Sequence, residues 1–402
     1  MQKLFILWGI VLYIIIVCLL YADKSSQLQY IPKNEQKHNW REWPIWREID
    51  PPDTRMRILW IDQDYVPFVN AGSEICTHTI NKFLISKPYK WDIWVASPGY
   101  PSRTYDGIRC FNLYDTHTFL NVLANTHQIH GHSYSYRKAL TYICRVTGIP
   151  YVSWIHSTSY ITELDKDNLS WNDSRCNGAM WAAFNSVSLL ESVKKPITNT
   201  NIFIPIVDYR AYSIQHRNPR YVTLSNVNYN KGGKVLIELA KACPDIEFMG
   251  VIGGYRHQII DRSIPNITYV PHTDNILNVY KDTWVQIMPS KDETWGRTAV
   301  EAMSSGIPLI VSPTPGLQEC CLDAAIYIDR QDIATWVETL YKLKNDREFY
   351  NMRSKKALER ARALDPRPVC ENIDEWLEKS VQPSRKIGGR HLTALEKNLI
   401  FR

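Results

Sequence analysis

From Met56 onwards, hydrophobic positions follow two alternating patterns. Short runs rich in β-branched and aromatic residues predict strands, and longer segments with apolar residues every three or four positions predict helices. In the first half, strands are predicted at Arg57 to Ile61, Trp91 to Ala96, Gln128 to His130, Tyr151 to Ile155 and Asn201 to Ile204, with helices at Cys76 to Leu84 and Arg137 to Val146. This alternation predicts a doubly wound parallel sheet.

The second half repeats the alternation after the polar segment Gln215 to Arg220. Strands are predicted at Tyr221 to Leu224, Glu247 to Val251, Ile267 to Val270, Val285 to Met288 and Pro308 to Val311, with helices at Val235 to Lys241, Ile333 to Lys344, Glu348 to Ala363 and Glu371 to Lys379. A chain of 402 residues is long enough for two α/β cores. The pattern therefore predicts an α/β fold with two Rossmann-like domains facing a central cleft.

The N-terminus has a different pattern. Leu4 to Tyr21 is eighteen residues without a charge, and at about 1.5 Å per residue it approximately crosses a hydrocarbon core. This favours one uncleaved transmembrane helix. A cleaved signal peptide is an alternative, although the run is longer than a usual signal core; a buried or amphipathic helix is another. The predicted parts are an anchor (1–22), a stem (23–55), two Rossmann-like domains (56–210 and 211–364) and a C-terminal helix and tail (365–402).

The charge distribution narrows the class of partner. The net charge of +6 is small and dispersed, which suits an anionic small ligand or an anionic membrane surface rather than a nucleic acid. Lys24, Lys33, Lys37 and Arg41 follow the apolar segment, whereas Lys3 precedes it. The positive-inside rule then favours a cytoplasmic main domain.

The cysteines favour the same side of the membrane. Eight of the nine lie beyond the apolar segment, none forms a Cys-x-x-Cys pair, and several fall on predicted apolar faces. Free buried thiols in a reducing compartment are therefore expected. Sequons at Asn168, Asn172 and Asn266 do not decide the side, because such triplets are common by chance.

The segment from Pro289 to Met303 contains the most informative chemistry. A predicted strand precedes it, Gly296 lies in a loop, and a helix is predicted to begin near Thr298. Unpaired amides at a helix N-terminus beside a glycine form a site for a diphosphate. Glu293 could then bind sugar hydroxyls and Glu301 the hydroxyls of a ribose. The alternatives are a capping box from Thr298 to Glu301 and a solvated loop charge at Glu293.

This segment carries a family resemblance. Glu293-x7-Glu301, followed by Ala302-Met303 and by Gly306-x-Pro308, resembles the signature of retaining glycosyltransferases of family 4, which have the GT-B fold. Similar family elements are Asn228 to Gly233 (a Lys-Gly turn), Gly316 to Glu319, Pro205 to Asp208 (a looser match lacking an Asn-Gly pair), His130 to Ser133 and Ile149 to His156. The resemblance covers Met56 to Lys379. It implies an acceptor domain at 56–210 and a nucleotide-sugar domain at 211–364.

The resemblance also implies roles on the donor side. Lys231 is expected to bind the diphosphate, with a solvated turn lysine as the alternative. Many family members place an arginine about five residues before this lysine, where this chain has Ser225 and Asn226. Asn226 is therefore a candidate donor contact. Arg297, next to Gly296 and Thr298, is a candidate substitute for the missing charge.

On the acceptor side, Gly72 and Ser73 resemble the family's glycine-rich loop, which lets acceptor and diphosphate approach the backbone. The alternative is a helix that begins at Ser73 as its N-cap. His156 ends a predicted strand and, by resemblance, lies close to the transferred sugar. A structural histidine is the alternative there.

Two patterns could indicate a metal. His130 and His132 lie two apart on one strand, but no third ligand with suitable spacing is evident. Asp62-Gln63-Asp64 is similar to the DXD motif of GT-A enzymes, but it directly follows the first strand, which is the wrong context. A loop acid pair is the better interpretation, and no metal or cofactor is expected.

Taken together, the uncharged N-terminal segment and the resemblance imply a membrane-anchored, metal-independent, retaining glycosyltransferase. It would move a hexose from a nucleotide diphosphate sugar, UDP rather than GDP, to a hydroxyl of a glycan, lipid or protein-linked sugar. The diphosphate leaving group would help to deprotonate the acceptor, so no covalent nucleophile is needed. The alternatives are a GT-B-like nucleotide-sugar epimerase and a non-catalytic nucleotide-sugar-binding module.

Overall fold

The computed structural model describes residues 55–381, except for 70, 99–100, 133–135, 167–179, 195–196, 198, 216–217, 255 and 274. The predicted anchor, nearly all of the stem, and residues 382–402 lie outside the described residues, as do Asn168, Asn172 and Ser133. Within the described residues, every helix is too short or too polar to cross a membrane.

The first sheet is doubly wound, as predicted. Its described strands run in the order β3-β4-β2-β1-β5-β6-β7-β8, and all neighbours are parallel except the β3–β4 pair. The strands are β1 (Met56–Ile61), β2 (Trp91–Ser97), β3 (Arg103–Tyr105), β4 (Ile108–Asn112), β5 (Gln128–Gly131), β6 (Tyr151–Ile155), β7 (Met180–Phe184) and β8 (Thr200–Ile202). The sequence pattern did not predict β3, β4 or β7.

Both faces of this sheet are covered. Ile58 and Trp60 of β1 pack in one hydrophobic cluster, whereas Leu59 and Ile61 pack in another on the opposite face. This alternation follows from the two-residue period of a strand, and two buried faces explain why β1 is apolar throughout. The helices beside this sheet are α1 (Gly72–Ile85), α2 (Thr116–Ala124), α3 (Arg137–Thr147), α4 (Thr158–Lys166) and α5 (Val187–Glu191).

The second sheet is fully parallel, with the strand order β11-β10-β9-β12-β13-β14. Its strands are β9 (Tyr221–Ser225), β10 (Phe248–Val251), β11 (Ile267–Val270), β12 (Thr283–Met288), β13 (Leu309–Val311) and β14 (Ala325–Tyr327). The strand order reverses between β9 and β12, and ligands of such sheets bind outside the carboxyl ends at this switch point. The corresponding reversal in the first sheet lies between β1 and β5.

The helices of the second domain are α6 (Gly233–Ala242), α7 (Leu277–Asp282), α8 (Arg297–Ser304), α9 (Pro315–Cys321), α10 (Ile333–Asn345) and α11 (Arg347–Ala363). The last described helix, α12 (Pro366–Ser380), returns to the first domain. Ile373 and Leu377 belong to the same hydrophobic cluster as β1. The indole of Trp91 donates a 2.6 Å hydrogen bond to Asp374. The C-terminal helix therefore completes the core of the first domain.

The described cysteines have the state that the sequence predicts for them. Seven of them are free and buried, which confirms the prediction for those residues. The third sequon is engaged in the fold, because the side-chain amide of Asn266 donates to the carbonyls of Ala240, Cys243 and Ile246.

Candidate functional site

Two loops meet at the switch point of the second sheet. Gly232 lies between β9 and α6 with φ of 101°, a left-handed conformation that favours glycine. A Cβ atom at this position would lie 2.4 Å from Cγ of Pro289, just after β12. The amide of Lys291 also donates to the carbonyl of Asn230 at 2.7 Å. The glycine therefore allows the loop after β9 to touch the loop after β12.

This contact brings Lys231 and Glu293 together. The ammonium of Lys231 donates a hydrogen bond to Oε2 of Glu293, and the backbone amide of Lys231 donates to Asn228 at 2.9 Å. The Lys231 and Glu293 side chains are 25% and 15% exposed, so a ligand from solvent can reach both. The two residues that the sequence proposed for the diphosphate and the sugar thus form one charged pair.

Helix α8 begins one position earlier than expected. Its N-cap is Gly296, with φ of 104°, and Thr298 is its second residue. No side chain caps this N-terminus among the described residues. The capping box from Thr298 to Glu301 is therefore wrong, and the first amides of α8 lie beside the loop that carries Glu293.

Glu301 belongs to a buried network instead. Its Oε1 accepts a 2.8 Å hydrogen bond from Nε of Arg297, and its Oε2 accepts a 3.0 Å bond from the hydroxyl of Tyr280. The other Arg297 nitrogens donate to the Ile206 carbonyl at 2.8 Å and to the Tyr212 hydroxyl at 3.0 Å. Burial lowers the pKa of the Arg297 guanidinium, but the interactions with Glu301, Tyr212 and Cys76 together outweigh it, so the pKa is raised.

These contacts correct the sequence interpretation of Arg297. The sequence predicts that its charge faces the diphosphate in place of the arginine missing near Ser225. The structure instead directs the guanidinium to the segment that joins the two domains, where Ile206 and Tyr212 lie. Asn226, at φ of 72°, places its side chain over Gly253, where a Cβ atom would lie 2.3 Å from the amide carbon of Asn226.

Several buried polar atoms at this edge have no hydrogen-bond partner among the described residues. They are the hydroxyls of Ser225, Ser290 and Ser312, Nδ2 of Asn228 and Nε1 of Trp295. They lie at the end of β9 or after β9, β12 and β13, at the edge of the sheet that carries Lys231 and Glu293. Because buried polar groups are normally paired, this edge has the chemistry of a site for a polar ligand.

In the first domain, Asp62 is not a solvated loop acid. It follows β1, is buried, and lies with Oδ2 2.8 Å from Nε2 of His132, which follows the neighbouring strand β5. The contact is an ion pair rather than a linear hydrogen bond. Burial lowers the pKa of His132, but the charges of Asp62 and Glu74 outweigh this and raise it to about 9. His132 is therefore a cation at neutral pH.

His156 lies beside this pair. Its ring makes an edge-to-face contact with His132 at a centroid distance of 5.8 Å. Burial, reinforced by the charge of His132, lowers the pKa of His156 to about 3, so the imidazole is neutral. Its Nε2 is buried and has no partner among the described residues, which leaves it available to a substrate hydroxyl.

Gly72 and Ser73 begin the first turn of α1, and the next residue, Glu74, lies near enough to Asp62 and His132 for their charges to interact. The N-cap is Ala71, so the alternative that Ser73 caps the helix is wrong. The Ser73 hydroxyl donates to Glu74 at 2.9 Å. Burial raises the pKa of the Glu74 carboxyl, although the charge of His132 opposes the shift.

His130 of β5 and His132, which follows it, do not form a pair that could bind a metal. His130 packs between Trp60 and Trp154 and bonds the side chain of Gln128 at 3.0 Å, whereas His132 pairs with Asp62. Burial lowers the pKa of His130 to about 3. In the part of the chain that the structure describes, no three His, Cys, Asp or Glu side chains are grouped to hold a metal ion.

The two domains touch through residues that the sequence reasoning did not assign. The Thr294 hydroxyl donates to the His156 carbonyl at 2.9 Å, and the Thr158 hydroxyl donates to Asp292 at 2.6 Å. The carboxylate of Glu319 accepts hydrogen bonds from the amides of Val187 and Ser188 at 2.9 and 3.0 Å. In the sequence, Glu319 stands out only as part of the family-like turn from Gly316 to Glu319. That turn does not indicate that Glu319 binds amides of the first domain.

Comparison with known proteins agrees with the second domain. Residues 208–360 match the family model for glycosyl transferases group 1, so the chain carries a glycosyltransferase group 1 domain. The D-inositol 3-phosphate glycosyltransferase of Corynebacterium urealyticum is 29% identical over 75 residues, which are 18% of each protein. The chain thus matches about a fifth of the length of this curated relative.

Solved structures extend the likeness to both domains. Sucrose-phosphate synthase from Thermosynechococcus elongatus superposes with a TM-score of 0.64 at 16% identity, covering 81% of this chain and 99% of its own. Anabaena Alr3699/HepE, solved in complex with UDP and glucose, has a TM-score of 0.63 at 14% identity. The match covers 81% of this chain and 100% of the HepE chain. At such identities the likeness concerns the fold, and it confirms the predicted GT-B-like pair of Rossmann-like domains.

Proposed function

We propose that this protein is a retaining glycosyltransferase that moves a hexose from a nucleotide diphosphate sugar to an acceptor hydroxyl. One observation carries the proposal: Lys231 and Glu293 form an accessible charged pair at the switch point of the second sheet, beside the N-terminus of α8. A cation, a carboxylate and free amides in one place suit a ligand that joins a diphosphate to a sugar.

The donor would use this geometry as follows. Its diphosphate takes the place of Glu293 at the Lys231 ammonium and accepts hydrogen bonds from the first amides of α8, including that of Thr298. Glu293 then turns to the sugar hydroxyls. Glu301 accepts one hydrogen bond on each oxygen, and each oxygen retains acceptor capacity for a ribose hydroxyl. Asn226 lies at the edge of the same site.

The acceptor would enter from the first domain, past Gly72 and Ser73. The neutral imidazole of His156 orients the transferred sugar through Nε2. The leaving diphosphate takes the acceptor proton on the face that it vacates, so the anomeric configuration is retained. Lys231 and the helix dipole stabilise the leaving-group charge, and the reaction needs no metal. UDP is the favoured nucleotide, since the similar fold of HepE was solved with UDP.

The test is a panel of UDP- and GDP-sugars with carbohydrate and glycolipid acceptors, assayed for transfer product and for nucleotide release. Transfer that disappears in Lys231→Ala and in Glu293→Gln supports the proposal. Conversion of the donor to an isomer without an acceptor would identify an epimerase. Nucleotide-sugar binding without turnover would identify a binding module.

We further propose that the uncharged segment Leu4 to Tyr21 forms a transmembrane helix and anchors the protein with its two domains on the cytoplasmic side. The uncharged segment and the free buried thiols support this placement. Protease digestion of sealed membrane vesicles whose cytoplasmic face is outside tests this placement. We expect the protease to digest residues 56–381 without detergent. Protection of those residues would contradict the orientation.

A further inference from the structure

We infer that Thr294 is a positioning residue that holds Glu293 and His156 at a fixed separation across the cleft; the inference rests on the proposed function. Glu293 belongs to the second domain and His156 to the first. Both must reach the same sugar for the proposed reaction to occur. Thr294 follows Glu293 in the chain, and its hydroxyl bonds the carbonyl of His156 itself.

The Thr294 hydroxyl has a partner on each side. It donates to the His156 carbonyl at 2.9 Å and accepts from Nδ2 of Asn185 at 3.0 Å. Asn185 is buried directly after β7, and its Nδ2 lies 3.5 Å from the same His156 carbonyl. The hydroxyl therefore closes a small hydrogen-bonded ring with the ends of β6 and β7.

The second domain fixes Thr294 independently. A Cβ atom at Gly316 would lie 2.3 Å from the carbonyl carbon of Thr294 and 2.4 Å from the backbone carbonyl oxygen of Glu293. The start of α9 thus packs directly on the peptide that joins Glu293 to Thr294. The next residue, Trp295, is buried in the core of the second domain.

Helix α9 returns to the first domain. Its Glu319 accepts hydrogen bonds from the amides of Val187 and Ser188, which follow Asn185 closely in the chain. Arg360 of α11 donates to the carbonyls of Cys320 and Glu319 and so holds this end of α9. Residues of the first domain therefore hold the segment after Glu293 through hydrogen bonds, and residues of the second domain pack against it.

Thr294 can therefore affect the reaction without touching the substrate, because it sets the separation of Glu293 and His156. Catalysis by two groups depends on their separation, and a misplacement of about 1 Å can cost about 100-fold in rate. Without the hydroxyl, the hydrogen bond from Thr294 to the His156 carbonyl is lost, and it no longer fixes the position of Glu293 relative to His156. The donor site keeps Lys231 and α8, so nucleotide binding remains while turnover falls.

Thr294→Val tests the inference, because it keeps the shape of the side chain and removes the hydroxyl. We expect kcat to fall by about 10- to 100-fold, while the Kd for the nucleotide stays within about threefold. Thr294→Ser restores the hydroxyl and should recover most of kcat. Asn185→Ala should resemble Thr294→Val, and the double variant should be little worse than either. Thr335→Val, an exposed threonine of α10, is the matched control.

A donor-independent measurement separates this inference from the proposed function. Small-angle scattering of the nucleotide-free protein should show a larger radius of gyration for Thr294→Val than for wild type, Thr294→Ser or Thr335→Val. Unchanged scattering together with wild-type kcat in Thr294→Val overturns the positioning role. Equal losses in the Val and Ser variants, or loss of nucleotide binding, also overturn it. If no donor is turned over by the wild type, the proposed function fails and the scattering alone decides the contact.

Discussion

The ammonium of Lys231 bonds the carboxylate of Glu293, although 62 positions separate the two residues along the chain. They meet because β9 and β12 are neighbours in the second sheet and the loops after both strands lie at the same edge. The proposed donor must break this pair. The first prediction follows from that requirement.

Replacing Lys231 by alanine should weaken nucleotide binding. A hydrogen bond to a charged group contributes about 1.5–3 kcal/mol, so the Kd for UDP should rise by about 10- to 150-fold. Titration calorimetry with UDP measures the change. Lys234→Ala removes an exposed lysine three positions further along, in the first turn of α6, and should leave the Kd within about twofold. Equal affinity of the Lys231 and Lys234 variants contradicts the assignment of Lys231.

Replacing Arg297 by methionine should destabilise the protein more than it affects the donor site. The change removes three hydrogen bonds and leaves Glu301 buried beside Tyr280. Breaking such a buried pair costs about 3 kcal/mol or more. Urea unfolding measures this, with exposed Arg347→Met as the control. A variant of wild-type stability that no longer binds nucleotide would support the original assignment of Arg297 to the diphosphate.

The ion pair of Asp62 and His132 predicts a pH dependence of stability. The pKa of His132 is raised from its ordinary value near 6.5 to about 9. Its stabilising contribution is therefore complete below about pH 6.5 and is lost as the pH rises through 9. Asp62→Asn removes the main source of this contribution. The difference in melting temperature between wild type and Asp62→Asn should be largest near pH 6.5 and should shrink by pH 9.5.

The matched control for this pH dependence is Asp332→Asn. Asp332 caps α10 at an exposed position, where its side chain accepts a hydrogen bond from the amide of Thr335. Its effect on melting temperature should be nearly constant over the same pH range. A constant difference for Asp62→Asn as well would show that His132 is not held as a cation.

Gly72 gives a prediction that separates stability from function. A Cβ atom at this exposed position would meet nothing within 4 Å, so Gly72→Ala should change the stability by about 1 kcal/mol or less. If acceptor and diphosphate approach the backbone here, the same methyl group should lower kcat/KM several-fold. Thermal unfolding and transfer assays compare the two. Unchanged kcat/KM would remove Gly72 from the site.

Local patterns in the sequence predicted much of the fold, because both sheets are built from strands with clear apolar runs. The β7 segment, Met180–Phe184, was missed because it is short and contains two alanines. The last helix was predicted from its own period. Its packing beside Trp91 could not be predicted, since the hydrogen bond from Trp91 to Asp374 joins residues 283 positions apart.

The site was predicted in part for the same reason. Lys231, Glu293 and His156 each lie in a motif at the end of a strand, and such ends converge in a doubly wound sheet. The sequence favours a loop acid pair at Asp62 and Asp64, because only the pairing of β1 with β5 places Asp62 beside His132. Arg297 was assigned from its neighbour Gly296, whereas its partners Ile206 and Tyr212 come from a distant segment.

The anomeric configuration of the product tests the central claim most directly. An α-linked nucleotide sugar identified in the donor panel is incubated with its acceptor, and proton NMR follows the anomeric signal before the product can equilibrate. We expect an α-linked product from the wild type and from Lys234→Ala, and no product from the double variant Lys231→Ala, Glu293→Gln. A β-linked product, or transfer that survives in the double variant, would contradict it.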